Sequence, residues 1–123
     1  MRFEISVVIP TRNRRESLRR LLTSLKSQTY KPKEVIIVDS SDEHILPDRF
    51  SREFPGLNVR YERSDPSACV QRNKGIQMAT ASHVFLCPDD LEVPPDYLAT
   101  LTRLFESHPQ AGAPRSVRHR ARP

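Results

Sequence analysis

Val35-Ile36-Ile37-Val38-Asp39 is followed by Ser40, Ser41 and Asp42. Four branched apolar residues run unbroken and stop at a carboxylate. So short a run, with no polar face, predicts a strand covered on both sides, the habit of parallel sheets in α/β domains. Ligands of open parallel sheets bind outside the carboxyl ends of the strands, and Asp39 stands at such an end. Two readings are open for it: contact with a ligand, or a turn cap formed with the neighbouring serines.

Upstream, Ile5-Ser6-Val7-Val8-Ile9 predicts a first buried strand. Pro10 should end its pairing, because proline has no N–H to donate to a ladder. Thr11-Arg12-Asn13 follow as a loop. Leu18, Leu21, Leu22 and Leu25 recur at i, i+3, i+4 and i+7 and predict a helix. Asn13 is its expected N-cap, with Glu16 as the other half of a capping box, and it should end near Gln28. A helix between two buried strands makes a right-handed βαβ unit.

Downstream, a short helix is expected around Asp48–Phe54. Leu57-Asn58-Val59-Arg60-Tyr61 alternates apolar and polar, as a strand at a sheet edge would. Ser64-Asp65-Pro66-Ser67 makes a turn and offers a cap to a helix over Ala68–Ala79, with Cys69, Ile76 and Ala79 on one side. Gly75 inside that helix costs about 1 kcal/mol relative to alanine and marks either close packing or simple tolerance. Val84-Phe85-Leu86-Cys87 reads as a further buried strand. Pro94-Pro95-Asp96 then starts a last helix whose apolar stripe is Tyr97, Leu98, Leu101, Leu104 and Phe105. The expected fold is α/β, with a mostly parallel, Rossmann-like sheet flanked by helices.

The chain of 123 residues is long enough for one domain with a buried core. No apolar run reaches the roughly 18 residues of a membrane span, and the N-terminus lacks a signal-peptide pattern. Cys69 and Cys87 are too few for a disulfide framework or an unaided structural zinc site. A cytoplasmic location with reduced thiols is the expectation. Net charge is +5, but Arg115, Arg118, Arg120 and Arg122 lie in an acid-free C-terminal stretch and supply most of it. The nearly neutral body argues against a nucleic-acid-binding domain. Periodicity ends at Pro109, and residues 113–123 read as a basic, disordered tail.

Three strand ends carry polar groups: Thr11, Asp39, and Asp89 with Asp90. In a parallel sheet they share one rim. Adjacent carboxylates suit Mg²⁺ or Mn²⁺, which take one or two carboxylates and fill the shell with phosphate oxygens and water. A solvated acidic turn opening the last helix is the alternative. Neither a G-x-G-x-x-G turn nor a phosphate-binding lysine loop is present. Instead Arg12, Arg14, Arg15, Arg19 and Arg20 crowd the start of the first helix. Arg12 would add charge to an anion-favouring helix N-terminus, whereas Arg19 and Arg20 fit an exposed face.

Five segments, in order, resemble the family-2 nucleotide-sugar glycosyltransferases of GT-A fold: Ser6 to Asn13, Leu21 to Gln28, Glu34 to Ser41, Arg72 to Ile76, and Phe85 to Leu98. The resemblance covers about residues 5–112, so residues 1–112 are read as a nucleotide-sugar-binding domain. It implies a donor site including Pro10, Thr11, Asn13 and Asp39, with Asp39 on the base and Arg72 near the base or phosphates. Asp89 and Asp90 fall on the family's Asp-x-Asp motif, which holds a divalent metal on the donor diphosphate. It further implies an inverting reaction, in which an acceptor hydroxyl, deprotonated by a carboxylate base, attacks the anomeric carbon.

The first aspartate of that motif is missing, its place falling on Cys87 or Pro88. The family's base and acceptor site lie well downstream of the motif, whereas this chain ends at Pro123. The expectation is therefore a truncated, donor-binding portion. The alternative is a degenerate, non-catalytic relative that binds a partner or self-associates as a homo-oligomer. A receiver-like domain is disfavoured, since Pro10-Thr11 stand where an acidic cluster would be needed.

Overall fold

The apolar stretches Ile5–Ile9 and Val35–Val38 form the inner strands of a four-stranded, all-parallel sheet. The structure, a computed structural model, describes residues 3–107. In chain order the elements are β1 (Ile5–Thr11), α1 (Arg15–Lys26), β2 (Glu34–Asp39), α2 (Arg49–Glu53), β3 (Val59–Arg63), α3 (Ala68–Met78), β4 (His83–Leu86) and α4 (Tyr97–Ser107). The strand order is β3-β2-β1-β4. Every pairing is parallel. The basic tail expected at residues 113–123 lies outside the described residues.

Side-chain alternation divides the core in two. Val7, Ile9, Val35 and Ile37 join Leu18, Leu21, Leu22 and Leu25 of α1, Phe50 of α2 and Leu98 of α4. Val8, Ile36, Val38 and Val84 face the other way, toward Ile76 of α3. The chain moves one way from β1 to β2 to β3, with helices on the first face. It then crosses back to β4 through α3 on the second face. Reversing direction while keeping right-handed crossovers requires that change of face. The switch point lies between β1 and β4, where such sheets open a crevice beyond their carboxyl ends.

Several expected boundaries differ from those observed. Pro10 does not end β1, since it pairs in register with Val38 and Thr11 pairs with Asp39. Cys87 donates its N–H to the Val8 carbonyl at 2.9 Å, whereas Ser40 donates to the Thr11 carbonyl at 3.0 Å. Even-numbered residues of β1 thus present their peptide groups to β4 and odd ones to β2. The proline's missing N–H stops the ladder on the β4 side only. Leu57 is not in the edge strand, because its N–H closes the turn after α2 on the Phe54 carbonyl at 2.9 Å.

Asn13 is not a helix cap. It adopts a left-handed conformation (φ 53°), which asparagine tolerates. Arg14 takes the N-cap position without a capping side-chain bond, so the capping box with Glu16 does not form. Ser67 does cap α3, accepting the Val70 N–H at 3.3 Å. Of the expected side of α3, Ile76 and Ala79 pack against the second core cluster, whereas Cys69 is exposed; the residues buried most deeply are Gln71 and Gly75. A Cβ on Gly75 would lie 2.3 Å from Val8 Cγ1, so the close-packing alternative is the correct one. On α4, Leu98 and Thr102 are buried, whereas Leu104 is exposed and off the stripe. Among the described residues, no helix is long and apolar enough to cross a membrane.

Candidate functional site

Register places three polar residues side by side at the carboxyl edge: Thr11 beside Asp39, and Asp39 beside Arg63. Asp39 is 5% exposed. Its Oδ1 accepts the Ser41 N–H at 2.9 Å and the Ser41 hydroxyl at 2.6 Å. Its Oδ2 accepts the Tyr61 hydroxyl at 2.5 Å and Arg63 Nη1 at 3.4 Å. Asp39 therefore does cap the turn that follows β2, and two side chains of the edge strand hold it as well. Burial, together with the bond to Asp39, pushes the Tyr61 phenol up to about 12, so it stays a donor at neutral pH.

The acidic pair follows β4. Thr11 donates its hydroxyl to Asp89 Oδ2 at 2.8 Å, joining residues 78 positions apart. Asp89 has a side chain only 12% exposed, against 62% for Asp90. Arg14 Nη1 stands 3.5 Å from Asp89 Oδ1 and 3.8 Å from Asp90 Oδ2. Cys87, just before the pair, is buried, and burial with the nearby carboxylates raises its thiol to about 12. A hard cation prefers oxygen ligands, which the two carboxylates supply and a thiol does not.

Pro10, Thr11, Arg14, Arg72, Asp89 and Asp90 line one cleft of about 1160 Å³. Ser67 and Ala68, at the N-terminus of α3, line it as well, so the positive end of that helix borders it. Asp39 and Asn13 line a neighbouring cavity of about 310 Å³, with Thr11 shared between the two. The expected residues thus gather at one rim but in two concavities, Arg72 exposed in the larger and Asp39 buried beside the smaller.

Arg12, expected to add charge for an anion, lines the larger cleft, but its guanidinium is tied to the loop after β2. It donates to the Ser40 carbonyl and pairs with Asp42 at 2.9 Å. Asn13 bonds Asp42 and Ser41 in the same patch, tying the loop after β1 to the loop after β2. The arginine of this stretch that meets the acidic pair is Arg14.

Gln71 is a residue that periodicity misses. Buried on α3, it donates Nε2 to the Thr11 carbonyl at 3.0 Å and the Val38 carbonyl at 2.8 Å. Its Oε1 accepts the Ser40 hydroxyl at 3.2 Å. It clamps the ends of β1 and β2 beneath the site. The one available signal is its spacing of four from Gly75, which puts both on one helix face.

Two carboxylates at the edge of a cleft fit a divalent cation completed by phosphate oxygens. Among the described residues there is no group of three or more His, Cys, Asp or Glu that would hold a metal unaided.

Sheet order and cleft together define a Rossmann-like α/β domain with its site at the strand ends. The chain belongs to glycosyl transferase family 2, whose family model matches residues 6–120. It is 31% identical over 116 residues to the glucosyl-dolichyl phosphate glucuronosyltransferase of Haloferax volcanii, covering 89% of this chain and 36% of that protein. It is similar in fold to S. aureus TarS 1–349 in complex with UDP, with TM-score 0.73 and 24% identity over 85% of this chain and 32% of that one. It is likewise similar to the mannosyltransferase PcManGT from Pyrobaculum calidifontis in complex with GDP-Man and Mn²⁺, with TM-score 0.74 and 24% identity over 85% of this chain and 33% of that one. These likenesses show the GT-A fold. The chain spans about a third of the length of each of these three proteins.

Proposed function

We propose that this chain is the donor-binding portion of a family-2 glycosyltransferase, which takes a nucleoside diphosphate sugar into the larger cleft. The observation that carries the reading is the Thr11–Asp89 hydrogen bond at 2.8 Å, which sets the acidic pair against the end of β1 at the switch point. In this reading Pro10, Thr11, Asn13 and Asp39 form the nucleoside end, with Asp39 meeting the base. Arg72 and the N-terminus of α3 meet the phosphates, because a helix N-terminus and a guanidinium both favour anions. Asp89 and Asp90 hold Mg²⁺ or Mn²⁺. When bound, such a cation acts as a Lewis acid, neutralising charge on the departing nucleoside diphosphate.

Transfer itself would be inverting, with an acceptor hydroxyl attacking the anomeric carbon after losing its proton to a carboxylate base. None of residues 3–107 is assigned that base or the acceptor site. Melting temperature tests the reading. UDP or GDP with Mn²⁺ should raise it, a ligand at 100 times its Kd adding about 2.7 kcal/mol, and Asp39→Ala should abolish the rise. No shift with either nucleotide at millimolar concentration contradicts the reading.

A further inference from the structure

Arg14 has no capping bond to make, and among the described residues its ion pairs are those with Asp89 and Asp90. One guanidinium nitrogen thus faces an oxygen of each carboxylate, while Thr11 occupies the other oxygen of Asp89. We infer that Arg14 is a built-in counter-ion of the acidic pair, one that a divalent cation must displace and that then turns to the donor diphosphate. The inference rests on the metal reading of Asp89 and Asp90 proposed above.

The tether is weak enough to be exchanged. Distances of 3.5 and 3.8 Å exceed those of direct N–H···O bonds. The Arg14 side chain is 56% exposed, and exposed pairs are weak and screened by salt. Its backbone, in contrast, is anchored, because Asn13 next to it is bonded to Ser41 and Asp42. The side chain swings while its root stays fixed. It lines the same cleft as Arg72 and the start of α3, so the displaced guanidinium remains beside the diphosphate.

Two cations cannot share the same carboxylate oxygens without mutual repulsion. A metal arriving alone evicts Arg14 and leaves it with nothing but water. A metal arriving with a diphosphate lets Arg14 exchange carboxylate for phosphate oxygens, an acceptor that suits a guanidinium fork. Arg14 is then a positioning residue that couples metal to nucleotide. By linkage, each of the two ligands raises the affinity of the other by the same factor.

Two titrations on the full chain test this: Mn²⁺ alone, followed by the paramagnetic resonance signal of the free ion, and UDP or GDP at fixed Mn²⁺, followed by calorimetry. Arg14→Gln should bind Mn²⁺ alone on the order of three- to ten-fold tighter than the wild type, and Mn²⁺-nucleotide weaker by a similar factor. Arg14→Lys keeps the charge and should lie between them. Opposite signs in the two titrations are what a merely structural arginine would not produce. Unchanged or weaker Mn²⁺ binding by Arg14→Gln overturns the inference while leaving the metal reading in place, provided that Asp89→Asn loses Mn²⁺. Undiminished Mn²⁺ binding by Asp89→Asn overturns both.

Discussion

Asp39 ends β2 with both oxygens engaged by its own fold, so a ligand that meets it finds a carboxylate already aimed. Tyr61→Phe removes the 2.5 Å bond that sets this aim. Loss of a hydrogen bond to a charged group should cost about 1–3 kcal/mol in a denaturant titration and weaken nucleoside diphosphate binding. Unchanged values for both would show that Ser41 and Arg63 suffice to position the carboxylate. Glu34, at the opposite end of β2, carries a pH signature. Burial raises its pKa, but bonds from Ser6, Thr80 and Arg60 outweigh this and bring it to about 2 from 4.5. The ionised carboxylate is thus favoured by folding. Its contribution is complete above about pH 4.5 and is lost as pH falls toward 2. Melts of the wild type should decline across that window by a step that Glu34→Gln lacks, and identical profiles would contradict the assignment. Buried polar residues of this kind are poorly legible in a sequence. Gln28 accepts the Leu98 N–H at 3.0 Å and donates to the Pro94 carbonyl at 2.7 Å, serving a helix about seventy residues away. Nothing local distinguishes it from an exposed glutamine, because its partners are chosen by tertiary packing.

Elements built on apolar repetition are legible, and those built on close approach are not. The leucines of α1 fall on the buried face that their spacing predicts. α3 has no such stripe. Beside the packed Ile76 and Ala79, it is held by the contact at Gly75 and the clamp at Gln71, and neither of these two raises a periodic signal. Gly75→Ala would drive a methyl group to 2.3 Å from Val8 Cγ1 and 3.4 Å from Val38 Cγ2. Overpacking of this kind should destabilise by about 1–3 kcal/mol, measured by urea midpoint. A gain of stability from the better helix former would show that α3 shifts freely off the sheet. Gln71→Leu keeps most of the volume but leaves the Ser40 hydroxyl without its acceptor, so it should cost about 1–3 kcal/mol in the same titration. Turns follow the same division. Pro10 and Asn13 carry strong local preferences, yet register with β2 overrides the first and the bonds to Asp42 redirect the second.

At the scale of the molecule, the alternation of strands and helices is enough to expect a parallel sheet, and the polar ends of three strands are enough to expect a site along one rim. The order β3-β2-β1-β4 is not contained in that alternation, because it depends on which face α3 covers. That choice also decides the shape of the site. It opens the crevice between β1 and β4, puts Arg72 and the start of α3 in one cleft with the acidic pair, and leaves Asp39 beside a second, smaller cavity. The two concavities meet at Thr11, where a donor would pass from its nucleoside end to its diphosphate end. A crystal structure of the chain grown with Mn²⁺ and UDP, or with Mn²⁺ and GDP, tests this most directly. An anomalous manganese peak is expected on Asp89 and Asp90, with the diphosphate in the larger cleft near Arg72 and the nucleoside running past Thr11 toward Asp39. Manganese bound elsewhere, or a nucleotide lying away from the carboxyl ends of β1 and β4, would contradict it.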